Sequence, residues 1–585
     1  MSTLKYQHEH LRCLLRKIYK NQSPAEIDFV VLQLMQILKS SADLIKTKND
    51  SKQKLWDASS SVLITYPDVI SRFGEPSLET LAELINDHIK NLATIVHVLP
   101  FLRSTSDGGF AVSSHDEISP DFGNWEHLQK IGKTRLLMAD LILNHISASH
   151  PWVGQFRNAK KPGVNYILSP CLRENWSNVF RPRNSSLFTS LNTVNGPKKV
   201  WTTFSPDQID LNWSEPLLLV EYFKIIVRYL RYGVRWIRLD AIGFIWKSPG
   251  TECVHLEEAH QIVKVLRHQI QKLIPEGVLV TETNVPEEEN LSYLKTGDEA
   301  NLAYNFPLPP LILESIISNN SDLLNKWLEH WPSLPEQSLL LNFTASHDGV
   351  GLMPLKGLIS QDRLKNLLIN CELRGGLISH RTMPSGEEEP YELNISWWSA
   401  MKDSGVNPSN FQLERFLLSQ LFIMSLQGIP AFYVQALLAS ENNIESYRKT
   451  GQRRDLNRER FDANDLLVSL KDKSSSAFKN LKYLKSAMAI RSQLIAFHPE
   501  SPMQCLSPHK KDLVILCRGK GKERIWALHN FTNTRIDFSL LNVLNKSEVS
   551  KSNQWVDCLN NCSISDTDIE LKPYSVIWLK QSKNL

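Results

Sequence analysis

Residues 233–240 read Gly-Val-Arg-Trp-Ile-Arg-Leu-Asp, an apolar run that follows a glycine, ends on a carboxylate and carries Arg238 two positions before Asp240. Alternate residues of a strand share a face, so the guanidinium and the carboxylate meet at one end of the strand. The same form recurs at Val62–Tyr66, Ile95–Pro100, Leu136–Leu141, Leu279–Thr281, Leu302–Phe306, Leu340–Phe343 and Ile429–Val434. Helical stretches such as Leu78–Leu92 lie between these runs. Strand, helix, strand at this recurrence predicts a parallel sheet of the α/β class, and about eight such units predict closure into a (β/α)8 TIM barrel. A doubly wound sheet is the alternative, but no Gly-x-Gly-x-x-Gly follows any of the runs.

Outward from the barrel the chain divides by rhythm. Residues 1–56 carry two apolar stripes, Leu11, Leu14, Leu15 and Ile18, then Ile27, Val30, Val31, Leu34 and Leu38, and predict a helical extension. A polar run over 46–54 separates it from the first part of the barrel, 57–145. Residues 146–215 are rich in Trp, Asn and Pro with little periodicity, and read as an inserted loop domain at the barrel mouth. The barrel resumes over 216–495 with long mouth loops, one at about 380–410. From 496 to 585, the alternating runs at 512–519, 524–531 and 574–580 predict a C-terminal antiparallel β domain.

Composition narrows the function. The 585 residues are 42% hydrophobic and 22% charged with a net charge of +4, which excludes a disordered chain and a strongly basic reader of nucleic acid. Eight cysteines show no Cys-x-x-Cys pair, which fits a reducing compartment. The N-terminus lacks a signal-peptide h-region and no run of 18 apolar residues follows, so the expectation is a cytoplasmic protein with no membrane partner. The 15 tryptophans suit a site that packs on flat, partly apolar ligands such as sugars.

Polar residues gather at the strand ends, with Asp140, Asn144 and His145 after one, Arg238 and Asp240 at another, then Glu282, then His347 and Asp348. A carboxylate beside a guanidinium stays ionised, which suits Asp240 to nucleophilic attack; a structural ion pair at the barrel rim is the alternative. Glu282 leaves the apolar strand VLVT with no cation nearby in sequence. Burial would raise its pKa and suit it to give and take a proton, whereas a surface glutamate is the plainer reading. Asp348 reads as a third rim acid. Two such acids about 5 Å apart make a retaining glycoside-transfer site. A metal held by His145, His255, His260 or His347 with Asp140 is the rival use, but none of them forms His-Glu-x-x-His, and no metal or cofactor is expected.

DLILNH at 140–145, RWIRLDAIG at 235–243, TETNVPEEEN at 281–290 and ASHDGVG at 345–351 resemble, in order, the four dispersed motifs of the α-amylase superfamily, glycoside hydrolase family 13. LITYPD at 63–68, HVLPF at 97–101, TECVHLEEAH at 251–260, PYELNISWW at 390–398 and MSLQGIPAFYVQALLAS at 424–440 resemble its sucrose phosphorylase branch, and PYELNI with TETNVP resembles the longer, glucosylglycerate-cleaving members. The resemblance covers roughly 60–585 and leaves the N-terminal extension unmatched.

The resemblance implies a fold and a set of roles. Asp240 would be the nucleophile, Glu282 the acid/base and Asp348 the transition-state stabiliser, with Arg238, His145 and His347 lining the glucosyl subsite. Asp107 and Arg458 would clamp the terminal glucose hydroxyls. Tyr391 and Glu392 would face the acceptor, and Arg374 and Arg381 are candidate anion ligands from local charge. Phe244 stands where sucrose-specific members usually have tyrosine, and Gly108 replaces an acid of the motif S-D-D-G-F. The implied activity is retaining phosphorolysis of a small α-glucoside, first glucosylglycerate, with inorganic phosphate as co-substrate and α-D-glucose 1-phosphate as product. Sucrose phosphorolysis, hydrolysis or transglucosylation, and non-catalytic sugar binding are the alternatives. A monomer or a homodimer is expected.

Overall fold

The computed structural model describes residues 2–45, 55–383, 387–403, 410–507, 511–540, 555–564 and 568–582. The polar run 46–54 lies outside the described residues. Eight strands, β1 (Val62–Thr65), β2 (Ile95–Val98), β3 (Leu136–Ile142), β4 (Val234–Asp240), β5 (Val278–Thr281), β6 (Leu302–Tyr304), β7 (Leu339–Phe343) and β8 (Ile429–Tyr433), close into a barrel in chain order. Every neighbouring pair is parallel, and β1 closes on both β2 and β8, with Val62 opposite Ile95 and Ala431. These strands are buried on both faces, which is why they read as near-continuous Val, Ile and Leu runs. The anticipated (β/α)8 barrel is the observed fold.

Two amphipathic helices precede it, α1 (Ser2–Ile18) and α2 (Pro24–Ser41). Ser23 caps α2 reciprocally with Glu26, and proline at the first turn presets its φ. Both stripes named above are buried except for the half-buried Leu38, and the pair packs on two barrel helices, α3 (Pro216–Arg231) and α4 (Glu257–Leu273). The single helix expected over 78–92 is a short α-helix, Ser77–Glu83, that loosens into a π-turn over Leu84–His88.

The inserted region holds a regular feature that sequence periodicity did not reveal. Phe188–Thr193 and Gly196–Trp201 form an antiparallel hairpin across the two residues Val194 and Asn195. Most of its residues are exposed or half-buried, so burial imposes no apolar alternation on it. The mouth loop near 380–410 likewise contains a strand, Glu388–Asn394, paired with Leu377–Thr382 and Val350–Gly351.

At the C-terminus, six antiparallel strands form a sheet around Trp526, Trp555, Leu513 and Ile515. It is stitched to the barrel by buried polar groups. Arg518 donates to the carbonyls of Ser425 and His498, and the Trp578 indole donates to the Ser425 hydroxyl at 2.9 Å. No helix among the described residues is long and apolar enough to cross a membrane.

Candidate active site

The barrel register places the acids. On β4 and β5, Leu239 stands opposite Thr281, so Asp240 and Glu282 leave the barrel level with each other. On β3, Asp140 stands opposite Arg238. Carboxylates from three strand ends therefore converge on one guanidinium. Arg238 Nη1 donates to Asp240 Oδ1 at 2.7 Å and pairs more tightly with Asp140 Oδ1, while Nη2 lies 3.6 Å from Glu282 Oε2. The rings of Phe110 and Tyr304 hold that guanidinium, 5.8 and 5.6 Å from their centroids.

Burial and charge compete at these acids. Burial pushes Asp140 up, but His97, at 2.8 Å, and Arg238 outweigh it and hold its carboxyl at about 2. Asp240 differs from the simple expectation of a carboxylate lowered by its arginine. Burial raises it well above the usual range, and Glu282 and Asp140 add to this against the pull of Arg238. Burial also raises Glu282, and here the expectation of no close cation is corrected, because Arg238 stands beside it and opposes the shift. Arg238 lies closer to Asp240 than to Glu282, which favours negative charge on Asp240 of the two. Asp348 lies below the usual carboxylate range, since Arg454, His347 and Arg238 together overcome its burial.

Asp107, His145, Arg238, Phe244, His347 and Tyr391 line one pocket with the three acids, and with its open mouth it occupies about 700 Å³. Gln208 donates to Asp107 at 3.1 Å and also meets His145, bridging the two. His347 stacks on Phe110, ring centroids 5.1 Å apart, and burial lowers it to about 3, so it is neutral. Phe244 packs edge-on to Phe204, also a lining residue, at 5.5 Å.

Four sequence-derived positions fall elsewhere. Arg458 is buried behind the wall, donating to the His347 carbonyl at 3.0 Å and lying over the Tyr66 ring, with its charge still acting on Asp107. Arg454, four residues earlier, is the arginine of that segment in the lining. Glu392 sits one layer back, gripping Arg454. Arg374 is absorbed by the Lys402 carbonyl and by Asn370, and Arg381 pairs with Glu389 and faces a separate cavity beside Phe180.

The lining also contains residues that sequence reading passed over: Arg454, Gln208, Asn284 and Arg183. Among the described residues, Arg183 has neither an ion-pair nor a hydrogen-bond partner, unlike Arg238 and Arg454. It belongs to FRPRN, in the aperiodic insertion; an arginine directly after a proline over a barrel mouth was the available signal. No cluster of three or more His, Cys, Asp or Glu placed to hold a metal ion occurs among the described residues.

Residues 81–370 match the α-amylase catalytic domain family. A glucosylglycerate phosphorylase of Allomeiothermus silvanus is 35% identical over 526 residues, covering 90% of this chain and 91% of the relative. The chain belongs to the α-amylase superfamily, in its sucrose phosphorylase branch. A sucrose phosphorylase of Agrobacterium vitis is more distant, 26% identical over 429 residues, covering 70% of this chain and 84% of that protein. Among solved structures, the sucrose 6F-phosphate phosphorylase from Thermoanaerobacter thermosaccharolyticum superposes with a TM-score of 0.71 at 23% identity, covering 85% of this chain and 99% of that one, a likeness of fold. In this superfamily member the strand-end acids and the pocket between them are the candidate active site.

Proposed function

We propose that this chain is a retaining phosphorylase that cleaves α-glucosylglycerate with inorganic phosphate to give α-D-glucose 1-phosphate and glycerate. The observation that carries the reading is the pairing of Asp240 and Glu282 around one guanidinium in a sugar-sized pocket, in a chain 35% identical over nine-tenths of its length to a glucosylglycerate phosphorylase.

The chemistry follows from the two carboxyl groups. Asp240 attacks the anomeric carbon while Glu282 gives its proton to the glycosidic oxygen, releasing glycerate and leaving a β-glucosyl ester on Asp240. Phosphate then attacks the same carbon as Glu282 takes its proton, and Asp240 departs as a carboxylate. Two inversions retain the α configuration. Asp348 stabilises positive charge developing on the ring, and Asp107, with Arg458 behind it, holds the terminal hydroxyls and favours a single glucosyl unit.

Phosphate and glycerate are both anions, and the unpartnered guanidinium of Arg183, beside Tyr391, is suited to receive either. Sucrose is the second reading, supported by the more distant sucrose phosphorylase relative. The deciding experiment incubates the enzyme with glucosylglycerate and, separately, sucrose, each with and without phosphate. Phosphate-dependent glucose 1-phosphate from glucosylglycerate is expected, and its absence from every donor rejects the reading.

A further inference from the structure

Glu392 follows Tyr391 on the strand Glu388–Asn394, and the period of two turns its side chain away from the pocket that Tyr391 lines. It is only 1% exposed. Its two oxygens accept from Nε and Nη2 of Arg454 at 3.2 and 2.7 Å, which leaves Nη1 as the edge that meets Asp348. A carboxylate, a guanidinium and a second carboxylate thus stand in line, with Asp348 in the pocket and Glu392 behind. The strand Glu388–Asn394 is seated tightly on the Asp348 turn. A Cβ on Gly349 would lie 2.4 Å from the Leu393 carbonyl oxygen and 2.6 Å from Glu392 Cγ.

We propose that Glu392 is a positioning residue for the transfer reaction that acts through Arg454, fixing the guanidinium plane and cancelling its charge so that Asp348 keeps a net negative field at the glucosyl centre. The proposal rests on the phosphorylase reading above. An arginine with one carboxylate partner neutralises it, whereas an arginine shared by two leaves the trio with one net negative charge. Positive charge builds on the sugar ring in the transition state, so that negative charge lowers the barrier. The same charge repels an incoming phosphate. Removing it moves chemistry and anion binding in opposite directions, a signature that loss of packing does not produce.

The test begins with the wild-type enzyme on glucosylglycerate and phosphate, since glucose 1-phosphate formation there examines the phosphorylase reading by itself. Glu392→Gln keeps the shape and one acceptor oxygen but removes the charge. The expected result is a kcat lowered about tenfold together with a phosphate KM lowered about threefold. A lower kcat with a higher phosphate KM marks a displaced strand Glu388–Asn394 and overturns the proposal, as do unchanged constants. Arg454→Gln and the double variant E392Q/R454Q supply a second arm that contains no singly paired buried arginine and stands if E392Q does not fold. Because Glu392 acts through Arg454, adding E392Q to R454Q should alter kcat by less than about twofold; a further tenfold loss overturns the proposal. If the wild type forms no glucose 1-phosphate, the phosphorylase reading fails alone, and the same kcat comparisons are made on hydrolysis of α-glucosyl fluoride.

Discussion

Arg238 Nη1 lies 2.7 Å from Asp240 Oδ1, two residues further along the same strand, so the nucleophile carries its own counter-charge on the barrel wall. The guanidinium serves Asp140 and Glu282 as well, which a point charge on a flexible stem does not reproduce. Asp240→Ala should remove about 10⁴-fold or more of kcat with its circular dichroism unchanged, and Arg238→Lys about 10²-fold. Initial rates of glucose 1-phosphate release check both. An Asp240→Ala enzyme that retains its rate ends the nucleophile assignment.

Glu282 is raised by burial in the folded protein, and that sets two signs. A carboxyl raised on folding contributes stability below its ordinary pKa, and the contribution is lost as pH rises through the folded value. Glu282→Gln removes that cost, so it should raise the melting temperature at pH 7.5 and raise it less at pH 5. The proton-donating role makes a separate demand. Glu282→Gln should cut turnover of glucosylglycerate by about 10³-fold and of α-glucosyl fluoride, whose leaving group needs no protonation, by far less. Equal losses on both donors contradict the role.

The strand-end acids were legible in the sequence because each follows an apolar run that a barrel buries on both sides, and parallel register then brings those ends to one mouth. Glu392 was misread for a reason the sequence contained, since on a strand Tyr391 and Glu392 must face opposite ways. Without regular periodicity around it, that segment reads as a loop. Arg454 and Arg458 lie four residues apart on a 3-10 turn, Arg453–Asn457, and its end, whose direction only packing against His347 and Glu392 decides. The pKa directions of Asp240 and Glu282 depend on how deeply neighbouring strands bury the two carboxyl groups against the opposing pull of one shared guanidinium, which no local spacing encodes.

Among the described residues no carboxylate pairs with the lining residue Arg183, so its effect should fall on anion binding more than on chemistry. Arg183→Gln should raise the phosphate KM about tenfold and lower kcat by about threefold or less, with high salt weakening phosphate binding more in the wild type than in the variant. Saturation curves in phosphate at two ionic strengths measure it. A fall confined to kcat would place Arg183 outside the anion seat.

His115 and His150 meet where the insertion joins the barrel, Nδ1 to Nε2 at 3.2 Å, enclosed by Trp152 and Tyr222. Burial pushes them down to about 3 and about 4. In the unfolded chain both take protons near 6.5, so the stability they contribute is complete above that pH and is lost as pH falls towards 4. Each such group steepens the acid loss by up to about 1.4 kcal/mol per pH unit. His150 also caps the helix Pro151–Arg157 by accepting from Trp152 N at 3.2 Å, a task asparagine performs without titrating. His150→Asn should therefore be somewhat less stable than wild type at pH 7.5 because packing is lost, and the gap should narrow steadily in urea melts taken down to pH 4.5. Parallel pH profiles for the two proteins would show that this imidazole does not govern the acid limb.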